Sequence, residues 1–232
     1  MKKLTKDIVL PISQLSASIK EGDGWNEKIL FSQGEKIHLT LPDYWASLTT
    51  KLGDKQKPTG DDILDLTLPD QHTLAIEIFK LSYGNILELR WTCAGCNKKA
   101  KYKVDLDTLE FIPPPEGAVP PDPTFEILLP RSKRRVRLGY VTGRKEQEEF
   151  DAGTFDPNRA DFRVIRSIEE IAKVSYEDVL NLPLMDHKVI REKVKDMECG
   201  YVTDVSFKHS CGAERSVNIL LDPSFLVPGF GG

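Results

Sequence analysis

The stretch DDILDLTLPD at residues 61–70 recurs as EDVLNLPLMD at residues 177–186, and this repetition decides how the chain is organised. The shared residues lie 116 positions apart: Asp62, Leu64, Leu66 and Asp70 match Asp178, Leu180, Leu182 and Asp186. Self-similarity at a fixed spacing is the mark of repeated structural units. The sequence therefore predicts two tandem copies of one unit.

The match extends well beyond this stretch. Leu89 falls on Val205 at the offset of 116, and Tyr102 falls on Val217 at an offset of 115. The second copy has therefore lost one residue between these two positions. Each copy should contain the same order of elements on both sides of the deletion.

Each copy is predicted to be a helix followed by a β-hairpin. Apolar residues recur at helical spacing in both copies: Leu74, Ile78 and Leu81 in the first, and Ile190, Val194 and Met197 in the second. Asp70 and Asp186 are suitable N-caps for these helices, and Gly84 and Gly200 follow them. The segment after each glycine alternates apolar and polar residues, which is typical of a strand with one buried face. The fold class expected is α+β.

The predicted division follows the repeat. Residues 1–111 form the first copy with an N-terminal strand region, and residues 124–232 form the second copy, packed against the first. Between them, residues 112–123 (IPPPEGAVPPDP) are Pro-rich and predict an extended linker, because proline suits neither a helix interior nor a central strand.

Composition places the chain among ordinary globular proteins. The 232 residues carry a net charge of −4, which gives no global reason to expect nucleic acid or a membrane surface as partner. No apolar run is long enough to span a membrane. Four cysteines are too few for a disulfide scaffold of this length. We expect a cytoplasmic, reduced protein, in which a Cys pair binds metal or does redox chemistry.

The repeat also predicts a metal site. Cys93 and Cys96 have the CxxC spacing of a zinc knuckle, and no second CxxC exists in the chain. At the repeat offset, Cys93 falls on His209, and the deletion brings Cys96 onto Cys211. The predicted ligand set is Cys93, Cys96, His209 and Cys211, which suits tetrahedral Zn²⁺. Four protein ligands leave no open position, so this zinc would be structural and would join the two hairpin tips.

Other interpretations of the cysteines remain open. Cys199 competes as the fourth ligand, although an extended strand would hold it about 30 Å from the hairpin tip. A redox CxxC normally begins a helix, whereas this one lies between strands. A knuckle that has lost its metal is a third alternative.

Catalytic motifs are missing from the sequence. No P-loop, dinucleotide fingerprint, nucleophile elbow or HExxH motif occurs, and we expect no enzyme. His187 follows an acidic residue at a helix start, where we expect it to face solvent. The basic run PRSKRRVR at residues 130–137 predicts a solvated strand face, with a nucleic-acid patch as the alternative.

Several segments together resemble the baseplate hub and hub-assembly family of contractile-tailed, T-even-like phages. They are KLSYGNILELRWTCAGCNKKAKYKVDL, ILLPRSKRRVRLGYVTGRKEQE, LNLPLMDHKVIREKVKDMECGYVTDVSFKHSCGAE and DPSFLVPG, within residues 68–228. The chain departs from the family pattern at the second knuckle, where Lys208 occupies the place of a first Cys. The identity of the fourth ligand depends on this position.

This resemblance implies a non-enzymatic structural or chaperone-like assembly protein of a tail baseplate hub. Its partners would be other baseplate or tail proteins. Its location would be the host cytoplasm during assembly, with the virion tail baseplate as a further location. A permanent virion subunit and a transient chaperone both fit. The alternatives from other classes are a zinc-ribbon-like nucleic-acid-binding protein and a redox CxxC enzyme.

Overall fold

The computed structural model describes residues 3–32, 37–118, 124–153 and 179–221, together with Phe225 and Pro228. Residues 177 and 178 of the second repeat and residues 119–123 of the predicted linker lie outside this range.

The described residues form helices and small antiparallel sheets, which confirms the α+β class. The helices are α1 (Gly24–Leu30), α2 (Ile37–Leu48), α3 (Gly60–Leu64), α4 (Leu68–Tyr83), α5 (Gly143–Asp151) and α6 (Leu184–Asp196). The strands are β1 (Thr5–Val9), β2 (Ser16–Lys20), β3 (Thr49–Leu52), β4 (Lys55–Gln56), β5 (Ile86–Thr92), β6 (Lys99–Asp105), β7 (Phe111–Ile112), β8 (Thr124–Leu128), β9 (Arg135–Gly139), β10 (Gly200–Tyr201), β11 (Asp204–Lys208) and β12 (Glu214–Asn218). The sheet orders are β1-β2-β3-β4, β5-β6, β7-β10, β8-β9 and β11-β12. None of the described helices combines the length and apolar character that a membrane span needs.

The two long helices begin differently from the prediction. Asp70 and Asp186 do not cap them: the N-cap positions belong to Thr67 and Pro183, and each Asp lies in the first turn. Both carboxylates are fully buried. Each carboxylate accepts backbone N–H groups of another element and does not bind the end of its own helix.

The Asp70 carboxylate holds the turn between β1 and β2. It accepts the backbone N–H of Ile12 at 2.8 Å and that of Ser13 at 3.0 Å. Burial raises the pKa of Asp70, and the hydrogen bonds offset this only in part. The interaction fixes the first hairpin against the start of α4, because the buried N–H of Ile12 and the partly buried N–H of Ser13 would otherwise lack this partner.

The Asp186 carboxylate makes the same contact with the turn between β8 and β9. It accepts the backbone N–H of Arg131 at 2.7 Å and that of Ser132 at 2.8 Å. Burial raises the pKa of Asp186, but the two backbone donors lower it by more, so its pKa lies below the ordinary value. We call these two contacts the Asp–turn contacts.

The two turns also share their backbone conformation. Each follows a Leu-Pro pair, and each contains one residue with positive φ, Gln14 at +55° and Lys133 at +59°. Leu10 N–H bonds to Leu15 O in the first, and Leu129 N–H bonds to Arg134 O in the second. The structure thus relates the two hairpins, whose correspondence the sequence left undetermined.

The knuckle hairpins pair in corresponding registers. Leu89 lies opposite Tyr102 in the β5–β6 pair, and Val205 lies opposite Val217 in the β11–β12 pair. The four residues are those that the offsets of 116 and 115 match. The missing residue therefore falls within the second turn, where it shortens the loop without changing the strand pairing.

Three apolar cores hold the described elements together. The first lies among β1–β3 and α1–α4. The second lies among β8, β9 and α6 and also includes Ile12 from the turn between β1 and β2. The third contains residues from both halves of the chain: Ala75, Ile76, Phe79, Leu87, Leu89, Val104, Leu106, Phe207, Ile219 and Phe225. α4 contributes Leu74 and Ile78 to the first core and Phe79 to the third. This helix is therefore the element on which the halves are packed.

Polar contacts join the halves as well. Ile112, the first residue of the predicted linker, pairs with Gly200, and Ala118 is fully buried in the second core. The buried Glu77 of α4 contacts Lys6 of β1 and accepts the hydroxyl of Tyr201 at 2.6 Å. The division into residues 1–111, 112–123 and 124–232 stays a prediction. Within the predicted linker, Ile112 and Ala118 pack against the second half of the chain.

We predict that Asp70→Ala strongly destabilises the protein. The substitution leaves the buried N–H of Ile12 and the partly buried N–H of Ser13 unpaired. An unpaired buried group costs about 1–3 kcal/mol and a partly buried one less, so the free energy of unfolding should fall by about 2–4 kcal/mol. Asp7→Ala is the matched control, because Asp7 is exposed and accepts one bond from Ser18; it should cost below about 1 kcal/mol. Urea unfolding measures both. Equal losses of unfolding free energy in the two variants would show that the buried Asp70 contact stabilises the protein no more than the exposed Asp7 contact does.

Candidate metal centre

The first knuckle is a tight turn between β5 and β6. Cys93 N–H bonds to Lys98 O at 2.8 Å, and Asn97 N–H bonds back to Cys93 O at 2.7 Å. Asn97 has φ of +55°, a left-handed conformation that Asn tolerates better than most residues. The turn brings the thiols of Cys93 and Cys96 to the same side.

The second knuckle closes in the same manner with fewer residues. His209 N–H bonds to Ala213 O at 2.8 Å, and Gly212 N–H bonds to His209 O at 2.8 Å. Gly212 has φ of +91°, which glycine adopts without a steric penalty. This turn carries His209 and Cys211 and faces the first one.

The four predicted ligands come together at these tips. Their ligand atoms all lie within 4.8 Å of one another. The Sγ atoms of Cys93 and Cys211 are 3.6 Å apart, and Cys96 Sγ lies 3.6 Å from His209 Nδ1. His209 Nδ1 and Cys211 Sγ are 3.1 Å apart.

These separations suit a tetrahedral zinc. With Zn–S near 2.3 Å and Zn–N near 2.0–2.1 Å, the edges of the tetrahedron measure roughly 3.5–3.8 Å. The two distances of 3.6 Å fall in this range. The 3.1 Å separation of His209 Nδ1 and Cys211 Sγ would lengthen slightly when an ion binds. Three thiolates and one imidazole are also donors that suit zinc, whereas Mg²⁺ and Ca²⁺ prefer oxygen ligands.

Close packing keeps the tips in contact. A Cβ added to Gly95 would lie 2.9 Å from Ala213 Cβ and 3.3 Å from Cys211 Sγ, so only glycine fits here without a shift. One layer below, the rings of Trp91 and Phe207 are in contact, with centroids 4.3 Å apart and planes inclined at 45°. The two halves thus touch at the ligands and directly beneath them.

The thiols are not equivalent. Burial raises the pKa of Cys93, but the backbone N–H of Gly95 and the Cys211 thiol lower it by more. For Cys96, the backbone N–H of Lys98 lowers the pKa, whereas burial and the neighbouring thiols raise it by more. Cys93 is the member of this pair that the protein environment favours as a thiolate, the form that binds metal.

Cys199 lies outside this cluster. It packs against the second core beside α6, and burial raises the pKa of its thiol to about 11. A buried thiol of raised pKa is a poor metal ligand and behaves as a small apolar side chain. Its place away from the hairpin tips agrees with the distance expected from the sequence.

The structure also places an acidic pair, a histidine and the basic run. Asp61 and Asp62 lie in the first turn of α3, where negative charge is favourable. His187 was expected to face solvent, and this is wrong: its ring is buried against the start of α6, and Nδ1 has no partner among the described residues. The basic run forms an exposed turn and strand edge, with Arg131, Lys133, Arg134, Arg135 and Arg137 all exposed.

Sequence reasoning missed the roles of Asp70 and Asp186. Each was assigned to a helix end, and each binds a remote turn. The signal available was the Leu-Pro pair preceding both turns, which occurs with an Asp in the corresponding helix in both halves.

A model of the family described as T4 bacteriophage base plate protein matches residues 46–224, well over half of the chain. The match includes both knuckles and both long helices. No curated protein and no solved structure matches the chain.

We predict that His209→Ala removes bound zinc, whereas Cys199→Ala retains it. Removing a residue that only orients a metal ligand lowers the metal affinity about 10–100-fold. Removing a direct ligand should therefore weaken zinc binding by at least about 100-fold. Elemental analysis and competition with a chromophoric chelator measure content and affinity. Zinc loss from Cys199→Ala with retention in His209→Ala would refute this ligand assignment.

Proposed function

Since this chain belongs to the family of T4 bacteriophage base plate proteins, we propose that it is a structural or assembly component of the baseplate hub of a contractile-tailed phage. The family match carries this proposal, and it covers most of both halves. The partners are other baseplate or tail proteins. The chain is located in the host cytoplasm during assembly, and the virion tail baseplate is a further location.

The role proposed is non-enzymatic. The sequence contains none of the catalytic motifs sought, and the acidic residues that could suggest paired catalytic carboxylates have other partners. Asp62 binds Lys55 and the backbone of Thr59, which lower its pKa to about 2. Asp61 and Asp65 bind Arg144. These carboxylates support the packing of α3 and α5.

The metal proposed is a structural zinc joining the two knuckles through Cys93, Cys96, His209 and Cys211. Four protein ligands complete a tetrahedral site and leave no position for substrate or water. The ligands come in pairs from segments more than one hundred residues apart in the chain. Zinc binding free energy would therefore also stabilise the docking of one half on the other.

The two halves are proposed to be tandem copies of one unit. Three features support this: the repeated sequence, the paired Asp–turn contacts, and the matching registers of the knuckle hairpins. A duplicated unit accounts for a metal site built from two half-sites.

A nucleic-acid-binding role is the alternative that one observation favours. The exposed basic side chains between Arg131 and Arg137 lie close together on the β8–β9 hairpin, and within the described residues Arg137 is paired with Glu126. Salt-dependent DNA or RNA binding that disappears when these residues are neutralised would support that role over the structural one.

We predict that deleting the gene stops completion of the hub or baseplate and leaves capsids intact. Electron microscopy of infected cells and mass spectrometry of purified tails measure the outcome. Presence of the chain in tails identifies a permanent subunit, and its absence from tails with the same assembly defect identifies a chaperone. Normal infective particles from the deletion would refute the proposal.

We predict that chelation loosens the knuckles before it unfolds the helices. Isolated two-stranded hairpins are marginally stable in water, whereas α4 remains packed between two cores without metal. Hydrogen exchange with and without chelator should show protection falling first at residues 88–104 and 204–219. A uniform loss across the chain, or no loss, would contradict a zinc that joins the copies.

A further inference from the structure

The β1–β2 and β8–β9 hairpins are built on one plan and can be compared position by position. The Leu-Pro pair that precedes each turn sets an offset of 119 between them. At this offset the strand pairing matches: Asp7 lies opposite Ser18 in the first hairpin, and Glu126 lies opposite Arg137 in the second. The comparison separates what the shared backbone requires from what each hairpin adds.

The two hairpins differ sharply in charge. Five positions that are neutral in the first hairpin are cationic in the second. They are Ile12, Gln14, Leu15, Ser16 and Ser18, which correspond to Arg131, Lys133, Arg134, Arg135 and Arg137. Both hairpins nevertheless form the same turn hydrogen bonds and the same Asp–turn contact. The first hairpin thus shows that this backbone forms without any of the five charges.

These cations are crowded and exposed. All five lie within seven consecutive residues, 131–137, and each side chain is exposed. Within the described residues Arg137 binds Glu126 at 3.0 Å, and the other four form no ion pair. Like charges held this close together oppose the compact state. A feature that the backbone does not need and that opposes folding indicates a role in binding.

The backbone beneath the cations is held in a fixed conformation. The buried Asp186 carboxylate accepts the N–H groups of Arg131 and Ser132 at 2.7 and 2.8 Å. Leu129 N–H bonds across the turn to Arg134 O at 2.8 Å. A partner that binds this turn does not have to order its backbone, which lowers the entropic cost of association.

An exposed leucine lies among the cations. Residues opposite each other in an antiparallel pair project from the same face, and Leu128 lies opposite Arg135. Val136 and Leu138, which alternate with the arginines of β9, are buried on the inner face. Leu128 is 60% exposed on the outer face. We call this outer face and the turn the basic hairpin surface: Leu128, Arg131, Lys133, Arg134, Arg135 and Arg137.

The side chains of this surface suit a protein better than a nucleic acid. Four of the five cations are arginines, which bind carboxylates through two parallel hydrogen bonds and are enriched at protein interfaces, where lysine is depleted. The exposed Leu128 offers an apolar contact that a phosphate backbone cannot use. The aromatic residue of the hairpin strands, Phe125, lies on the inner face beneath the ammonium group of Lys193, at 4.4 Å from the ring centroid. It is therefore not placed to stack on a base.

The charge of the rest of the chain also disfavours a long polyanion. The whole chain carries −4 and the five cations contribute +5, so the remainder carries −9. Duplex DNA carries one negative charge per about 1.7 Å of its axis, and it would extend beyond the hairpin over this negative remainder. A short acidic segment of a protein ends where the cations end. The charge pattern therefore favours the protein segment.

We propose that the basic hairpin surface binds an acidic segment of a partner protein. Asp and Glu carboxylates of that segment pair with the cations, and an apolar side chain between them contacts Leu128. Exposed ion pairs are individually weak, so we expect a micromolar contact that depends on several pairs together. The proposal rests on the proposed assembly role for the identity of the partner as a tail protein, whereas the binding itself is a property of the purified chain.

Fluorescence anisotropy of the full chain with labelled peptides tests the proposal. The first probe is a short peptide of Asp and Glu with one central Leu, the second has Ser in place of that Leu, and the third has Asn and Gln in place of the acids. At about 0.15 M ionic strength, the wild type should bind the first probe most tightly, the second more weakly, and the third not at all.

A charge-removing variant takes its residues from the first hairpin. Lys133→Gln, Arg135→Ser and Arg137→Ser, made together, restore the residues that the same backbone carries at the corresponding positions. The triple variant should therefore fold, and its affinity for the acidic Leu peptide should fall at least about tenfold. Circular dichroism and the thermal midpoint check folding. Arg134→Gln combined with Arg135→Gln replaces the triple variant should it unfold.

The matched control removes the same charge from another exposed strand. Lys99→Gln, Lys101→Gln and Lys103→Gln, made together on β6, lower the net charge by the same amount. This variant should bind the acidic Leu peptide like the wild type. Equal losses in the two triple variants would show that the peptide responds to overall charge, and would overturn the proposal.

Leu128→Ser tests the apolar contact separately from charge. It should weaken binding of the acidic Leu peptide about threefold or more and leave the affinity for the Ser peptide unchanged. No loss with the Leu peptide would remove the apolar contact and, with it, the choice of a protein over a nucleic acid.

Labelled single-stranded and duplex DNA of the same charge as the acidic Leu peptide complete the test. Both should bind more weakly than the peptide. DNA binding tighter than peptide binding, and lost in the charge-removing variant, would overturn the proposal in favour of a nucleic-acid surface. A wild type that fails to bind the acidic Leu peptide at about 100 μM would also overturn it. The assembly role is tested independently by the gene deletion, so the two failures are distinguishable.

Discussion

A carboxylate buried in the first turn of a helix holds each N-terminal hairpin of this protein in place. Asp70 and Asp186 each accept two backbone N–H groups from a turn that follows a Leu-Pro pair. The carboxylates are buried and need these donors, while the N–H groups are buried at Ile12 and partly buried at the other three positions. This requirement fixes the position of the hairpin on the helix, and with it the packing of the first and second cores. A change at either Asp would therefore affect residues far from it in sequence.

The knuckle hairpins depend on a different constraint. Neither is covered by an Asp–turn contact, and each has one apolar face that a two-stranded sheet cannot bury alone. The third core solves this by combining both faces around Phe79 of α4, with the ring of Trp91 in tilted contact with Phe207 at its edge. The candidate metal ligands lie next to this ring pair. Apolar packing thus brings the four ligands within reach of one ion, and the ion would in turn close the open end of the core.

The two halves differ where they meet their surroundings. The start of α4 is covered by the segment before α5, whereas the start of α6 exposes Leu184 and Met185. Gln71 supplies two hydrogen bonds to neighbouring backbone, and the corresponding His187 keeps a nitrogen without a partner among the described residues. The starts of the two long helices, which match in sequence, therefore differ in how neighbouring segments cover them.

The sequence by itself determined the local elements and the cluster of candidate metal ligands. Apolar spacing predicted α4 and α6 to within a turn, and the repeat offset identified His209 and Cys211 as counterparts of the CxxC pair. Both are properties of spacing along the chain, and spacing is what sequence records directly. Only the tertiary structure decided what Asp70 and Asp186 bind, that His187 is buried, and that Ile112 pairs with Gly200. An Asp near a helix start can accept from its own helix or from a distant turn, and both choices have the same local sequence. Which one forms depends on which N–H groups lie within about 3 Å, and that is settled by the packing of elements remote in the chain.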